Sequence, residues 1–404
     1  MKWKLLAAGV LLGMASLAQA VSPEQVKTFT LPNGMKFIVL ESRTIPNANM
    51  YTFWKVGSRN EAPGITGLSH FFEHMMFNGA KKYGPKMFDR TMEANGGSNN
   101  AYTSNDVTVY QDWFPAASLD TIFALEADRI GHLAIDPKMV ESERGVVLSE
   151  RSTGLENSNV RMLMEEVNGV AFQGHPYSYP VIGLESDIKA WTLDDLKQYF
   201  KVYYSPNNAV VVIVGDVDTE QVRKLATKHF AKLPKRALPP AVRTVEPEQK
   251  GERRVFVAKE SASAPNLMVA YKTPQISHPD YYALEVLQGI LAEGKTSRLY
   301  RALVDGQLAT SVGAMSTDGF DPGLLYLFAV ASSGVAPAKL EQALLAEVER
   351  LARDGVTEDE LQKVRNQKLV GIYRALETIN GKAQNLGNYE VFFGDYKKMF
   401  DAPE

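Results

Sequence analysis

MKFIVLESRTIPNANMYTFWKVG, residues 35–57, returns in altered form as RRVFVAKESASAPNLMVAYKTPQ at residues 253–275. Each copy has a β-rich start, a Glu-Ser pair, a proline soon after it, and an asparagine that opens an apolar run. A pattern repeated at this distance points to an internal duplication, and the segments around each copy extend it. Ahead of the first copy, VKTFTLPNGMKFIVLES (26–42) holds two β-rich runs about Pro32-Asn33-Gly34, a hairpin signal. After it, helical stretches are expected over 64–77 and 87–97, a strand over NNAYTSNDVTVYQDWF (99–114), and helices over 119–135, 137–172 and 194–200. The apolar run AVVVIVGDV (209–217) and a helix at 219–233 close the first half. In the second half, YYALEVLQGILA (281–292) takes the place of the 64–77 helix and GLLYLFAVASS (323–333) that of the strand at Val107, with helices at 337–354 and 357–374. The fold class expected is α+β, with two homologous domains, each a mostly antiparallel sheet packed with helices. Residues 21–233 form the first domain and 254–404 the second. The Pro-rich, charged stretch 234–253, which has no helical or strand period, is the linker. Compared with the first half, the second lacks roughly 50 residues after Glu404, so the chain reads as truncated there.

Residues 1–20 are a separate object: a basic start with Lys2 and Lys4, an apolar block from Leu5 to Leu17, and Ala18-Gln-Ala20 as a small-x-small cleavage site. This is the layout of a cleaved secretory signal peptide, and the block is too short for the ~20 residues of a membrane span. A periplasmic or secreted location follows, with no stable membrane span. Removing the segment moves the net charge from -3 to -5, which speaks against a nucleic-acid partner. The chain has no cysteine, so disulfides, thiol nucleophiles and thiolate metal ligands are excluded. Any metal must be held by His, Asp or Glu.

HFFEHMMFNG, residues 70–79, concentrates two of the six histidines in five positions. On a helix, His70 and His74 lie one above the other, with Glu73 beside them, while Leu68, Phe71, Phe72, Met75 and Met76 form an anchoring apolar side. Two imidazoles so spaced can share one Zn²⁺, which in a catalytic site takes a third protein ligand and a water. Glu73 would then be a base beside that water, in the reverse order of the HExxH arrangement. The third ligand should be acidic. ESERGVVLSER (141–151) offers Glu143 and Glu150, seven apart and on one face of the expected helix.

HFFEH, followed 76 residues after His74 by the last Glu of ERGVVLSE, with GGSNNAYTSNDVTVY between them, resembles the pitrilysin, insulinase and mitochondrial processing peptidase family of zinc metallopeptidases. The resemblance covers essentially the whole chain after residue 20. It implies a processing-peptidase-like half clamshell, one zinc per chain held by His70, His74 and Glu150, and Glu73 as general base. It implies Glu143 as the carboxylate that orients a ligand. It also implies that an extended peptide adds to the strand of NNAYTSNDVTVY, with Asn100 and Ala101 nearest the scissile bond. The expected function is zinc-dependent endopeptidase action on extended peptides in a closed chamber; the alternative is a non-catalytic or peptide-binding subunit of a peptidase-like complex.

The pattern departs from the family in the second half. Where members carry an Arg and a Tyr in a segment like LREKLGLAYSV, this chain has LVDGQLATSV (303–312), with Val304 and Thr310 at or near those places. Arg298 and Arg301 lie close by in sequence but at other helical positions. A homologous partner subunit that supplies the Arg and Tyr, giving a heterodimer, is the expected remedy; a homodimer is the other possible pairing.

Overall fold

A computed structural model describes residues 21–403, so the expected signal segment lies outside the described residues. Strands β1 (Val26–Thr30) and β2 (Lys36–Glu41) form the anticipated hairpin, with Gly34 at φ +89° in its turn. Strand β3 (Asn47–Trp54) follows. The expected single strand at 99–114 is instead two strands, β4 (Ser98–Thr103) and β5 (Thr108–Pro115), paired antiparallel. The Ser104 hydroxyl accepts the Val107 N–H at 3.1 Å, and the Ser104 N–H donates to the Val107 carbonyl at 2.8 Å. This side-chain turn reverses the chain without interrupting the polar-apolar alternation, which is why the pattern reads as one strand. Strand β6 (Ala209–Gly215) completes a six-stranded sheet of order β1-β2-β6-β3-β5-β4, antiparallel except for the β2–β6 pair. All seven residues of β6 are buried, as expected for an unbroken β-branched run in a sheet covered on both faces.

The front face carries α1 (Leu68–Met75), α2 (Met87–Ala94), α3 (Leu119–His132), α7 (Leu193–Tyr203) and α8 (Thr219–Phe230), packed on Phe37, Val39, Met50, Trp54 and Val211. Between α3 and α7 run α4 (Pro137–Asn157), α5 (Asn159–Ala171) and the short α6 (Glu185–Ala190). The continuous helix expected over 137–172 is broken at Ser158, which is extended and caps α5 by accepting the Arg161 N–H at 3.1 Å.

The second half contributes β7 (Asn266–Thr273), β8 (Ala309–Ser316) and β9 (Gly323–Ala331) in the order β7-β9-β8, the same order as β3-β5-β4. Helices α9 (Tyr281–Ala292), α10 (Pro337–Asp354) and α11 (Glu358–Ala375) surround it, over a core that includes Leu299, Leu303, Leu327, Leu340 and Leu344. Residues 253–258, the counterpart of β2, form no strand, and Phe256 is 91% exposed. In the first half β2 is held between β1 and β6; among the described residues the second sheet has no counterpart of either, and a strand without a neighbour has no ladder to join. Residues 234–250 are irregular as expected but not loose, since the Glu246 carboxylate accepts the N–H groups of Gln173, Gly174 and His175 at 2.8–3.0 Å.

One helix has no place in the sequence reading. Helix α12 (Ile379–Phe393) crosses from the second half to cover the back of the first sheet, where Ala383, Leu386 and Val391 meet Ile38, Leu40, Phe53 and Val212. Lys36 Nζ binds Glu390 Oε1 at 2.5 Å, and Asn49 Nδ2 donates to Asn380 Oδ1 at 3.0 Å. At Gly387 the helix lies so close that a Cβ would fall 2.0 Å from Phe53 Cε2. Gly387→Ala should therefore destabilise the chain by about 1–3 kcal/mol in urea denaturation. The exposed helical Gly371, with no neighbouring atom within 4 Å of such a Cβ, should gain roughly 0.5–1 kcal/mol from the same change.

Candidate metal centre

Helix α1 starts at Gly67, in the left-handed region at φ +88°, where an added Cβ would sit 2.5 Å from the Ile182 carbonyl. The buried Glu61 carboxylate accepts the Gly67 N–H at 2.6 Å and the Ser69 N–H at 2.7 Å, satisfying donors that a helix start otherwise leaves unpaired. Leu68, Phe71, Phe72 and Met75 are fully buried, so the helix cannot roll, and His70, Glu73 and His74 share the opposite side. The two imidazole rings lie 4.7 Å apart.

Helix α4, capped by Asp136 and opened by Pro137, passes beside α1 and brings both expected carboxylates to it. Glu150 Oε2 lies 3.4 Å from His74 Nε2 and 3.7 Å from His70 Nε2. Glu143 Oε1 is 2.7 Å from His74 Nδ1, and its other oxygen accepts from Asn78 Nδ2 at 2.8 Å. One donor atom from each of His70, His74 and Glu150 falls within a 4.8 Å set, and no other such trio of His, Asp or Glu occurs among the described residues. The tetrahedral zinc bond lengths of ~2.0–2.1 Å require donors roughly 3.3 Å apart, so these spacings and the two-imidazole, one-carboxylate set suit a single zinc ion. Glu143 stands behind His74 rather than in the trio, in the position of a carboxylate that fixes a ligand's tautomer.

The charges fit the geometry. Burial and the neighbouring His74 pull the His70 imidazole down to about 4. For His74, burial acts in the same sense, but hydrogen bonds to Glu143 and Glu150 outweigh it and push the ring up to about 9. The same contacts with His74 hold Glu143 and Glu150 below the usual carboxylate range. Burial pushes Glu73 above that range, opposed by the Thr103 hydroxyl, which donates to Glu73 Oε2 at 2.5 Å.

Thr103 ends β4, the outermost strand of the first sheet, which is paired on one side only among the described residues. Asn100, exposed, and Ala101, half-buried, precede it on the same strand, ~7–10 Å along the chain from that contact. The sequence reading missed Thr103 and Asn78; the NNAYTSND run held Thr103, but nothing in the run marks its contact with α1. In the second half, Val304 packs into the core, Thr310 is exposed, and Arg298 is bound to Glu360 at 2.7 and 2.8 Å and to the Gly355 carbonyl. Arg298 is thus committed to fastening the start of α11. Helix α9, in the place of α1, carries no histidine.

A duplicated α+β chain with a His-His-Glu group in its first half defines a class, and the comparisons place the chain within it. Residues 37–185 match the family model described as insulinase, peptidase family M16, and residues 190–368 match that described as the peptidase M16 inactive domain. The zinc protease PqqE of Helicobacter pylori is 33% identical over 402 residues, covering 97% of this chain and 90% of that protein. The mitochondrial-processing peptidase subunit beta of Lentinula edodes is 28% identical, covering 92% and 82%. A crystal structure of a protease from Helicobacter pylori superposes with a TM-score of 0.88 at 31% identity, covering 93% of this chain and 92% of that one. The chain belongs to peptidase family M16.

Glu143→Gln should lower zinc affinity roughly 10- to 100-fold in chelator competition, by leaving His74 Nδ1 without its carboxylate.

Proposed function

We propose that the chain is a zinc-dependent endopeptidase, with His70, His74 and Glu150 as the zinc ligands, Glu143 orienting His74, and Glu73 as general base. The observation that carries this reading is the convergence of three donors at single-ion spacing with a separate, partly buried carboxylate, Glu73, beside them on α1. When bound, zinc supplies Lewis-acid polarisation of water and of the scissile carbonyl. Glu73 Oε2 is held by Thr103, which leaves Oε1 to take the proton of the attacking water and return it to the amine nitrogen as the C–N bond breaks. The products are a free carboxylate and a free amine. An extended peptide pairs with the open edge of β4 through backbone hydrogen bonds, Asn100 and Ala101 lying nearest the bond to be cut.

The chain works as one wall of a closed chamber, with a related subunit supplying the Arg and Tyr that Val304 and Thr310 do not. The commitment of Arg298 to Glu360 supports this, since the buried guanidinium close to Val304 in sequence is already bound within the second half. The basic-apolar-AQA pattern of residues 1–20 supports export to the periplasm or beyond. Among the described residues no helix is long and apolar enough to cross a membrane.

Glu73→Gln should retain zinc but cut turnover of an unfolded peptide about 10²- to 10⁴-fold; an unaffected rate would remove Glu73 as the base. Thr103→Val should lower kcat roughly tenfold and, since the Thr103 bond lowers the Glu73 pKa, move the acid limb of the pH profile upward, with Thr103→Ser restoring both. Sedimentation with activity measurements tests the pairing: full-rate cleavage by a monomer of this chain would exclude the need for a partner.

A further inference from the structure

Beside the metal centre, α4 and the start of α5 enclose an open groove of about 690 Å³, lined by Gly145, Ser149, Glu150, Thr153, Gly154 and Arg161. Its floor is the face of α4 that carries Glu150, mostly small residues with the exposed Val146 among them. Arg161 is its sole cation.

The guanidinium has a defined seat. An added Cβ at Gly154 would fall 2.5 Å from Arg161 Nη1 and 3.0 Å from its Cζ, so Arg161 rests on bare backbone one turn beyond Glu150. On a helix that separation is ~6 Å along the axis. Any side chain at position 154 would displace it. Arg161 is also exposed, and no carboxylate among the described residues lies within 4.0 Å of it, whereas nearby Arg151 is paired with Glu165 at 2.5 Å. Its location is unfavourable by local criteria. Arg161 is the third residue of α5, in the first turn, where the helix dipole favours an acid and disfavours a cation. A cation kept there, its charge felt by Glu150 but bonded to no carboxylate, seated on a glycine and facing an open groove, is arranged to receive an anion from outside.

We propose that Arg161 is a specificity-determining residue that binds a carboxylate of the peptide substrate within one or two residues of the scissile bond. This rests on the peptidase reading above. At ~3.3 Å per extended residue, such a carboxylate spans the gap between the metal-facing oxygen of Glu150 and the guanidinium. An Asp or Glu side chain and a terminal carboxylate offer the same planar partner to Arg, so both sources fit the chemistry.

The test uses matched fluorescent peptides that differ by Glu, Gln or Lys at positions flanking the cleavage site, each with a free or amidated C-terminus. Binding is read by anisotropy on the zinc-loaded full chain carrying Glu73→Gln, with Arg161 intact or changed to Ala or Glu, and cleavage on the chain with Glu73 intact. The Glu peptide should bind roughly fivefold more tightly than the Gln peptide, the ratio should fall to one in Arg161→Ala, and Arg161→Glu should favour the Lys peptide. If Glu and Gln peptides bind alike and amidation weakens both only while Arg161 is intact, the carboxylate is the terminal one; if amidation has no effect, it is the side chain. Preference in binding without any cleavage would leave the Arg161 site standing and overturn hydrolysis by the chain without a partner subunit. Equal binding of all the peptides, Glu or Gln, free or amidated, by the chain with Arg161 intact, or preferences unchanged in Arg161→Ala, would overturn the proposal and leave hydrolysis untouched.

Discussion

Everything at the candidate metal centre depends on how α1 is gripped at its first turn. Two glycines meet there backbone to backbone: Gly67 at φ +88° lies against the Ile182 carbonyl, and Gly183 at φ +92° lies against that of Thr66. Asp187 accepts from Gly64, Thr66 and the Thr66 hydroxyl, while Glu61 takes the first donors of the helix. No side chain fits between the two strands of backbone, so the 182–187 segment acts as a stop against which α1 is set. With its apolar side sunk in the core, α1 is left with one orientation, and the imidazoles point at α4.

Duplication has produced halves with different duties. The first presents the His-His-Glu group, and the second repeats the strand order without it and supports the first. Their seam is polar and specific: Arg59 binds Asp321 at 2.9 Å, His175 lies 3.1 Å from the same carboxylate, and the Asp321 N–H donates to the Tyr177 hydroxyl at 3.3 Å. Behind these groups, Phe172 and Tyr177 pack on Leu324 and Tyr326 of the second sheet. The buried Asp106 is pushed up to about 6 by desolvation, against the opposing pull of Tyr177 and Arg59.

What was legible in the sequence was local. The His70–His74 pair and Glu73 follow from helix period alone, and both candidate acids on α4 follow from their spacing of seven. Spacing left Glu150 and Glu143 equal, and only the family resemblance favoured Glu150; the packing of α4 on α1 sets Glu150 beside both imidazoles and Glu143 beside His74 Nδ1. Thr103 was hidden because its contact with Glu73 is made by strand pairing, which brings the end of β4 to α1. The seat of Arg161 was hidden because the expected helix ran unbroken through Ser158. Residues 253–258 misled in the opposite sense, since a strand-like composition makes a strand only where a neighbouring edge exists.

The back face of the first sheet has a further consequence for how the molecule comes into being. Strands β2, β3 and β6 are all synthesised by residue 215, yet the surface that shields Ile38, Phe53 and Val212 arrives only with α12. Lys36 and Glu390 are 354 positions apart. The first half therefore waits, with an apolar face in water, for a helix at the far end of the chain. Despite its repeated architecture, the protein is interlocked: the first sheet is complete only once a loop of more than three hundred residues has closed, a cost in chain entropy that neither sheet meets by forming alone.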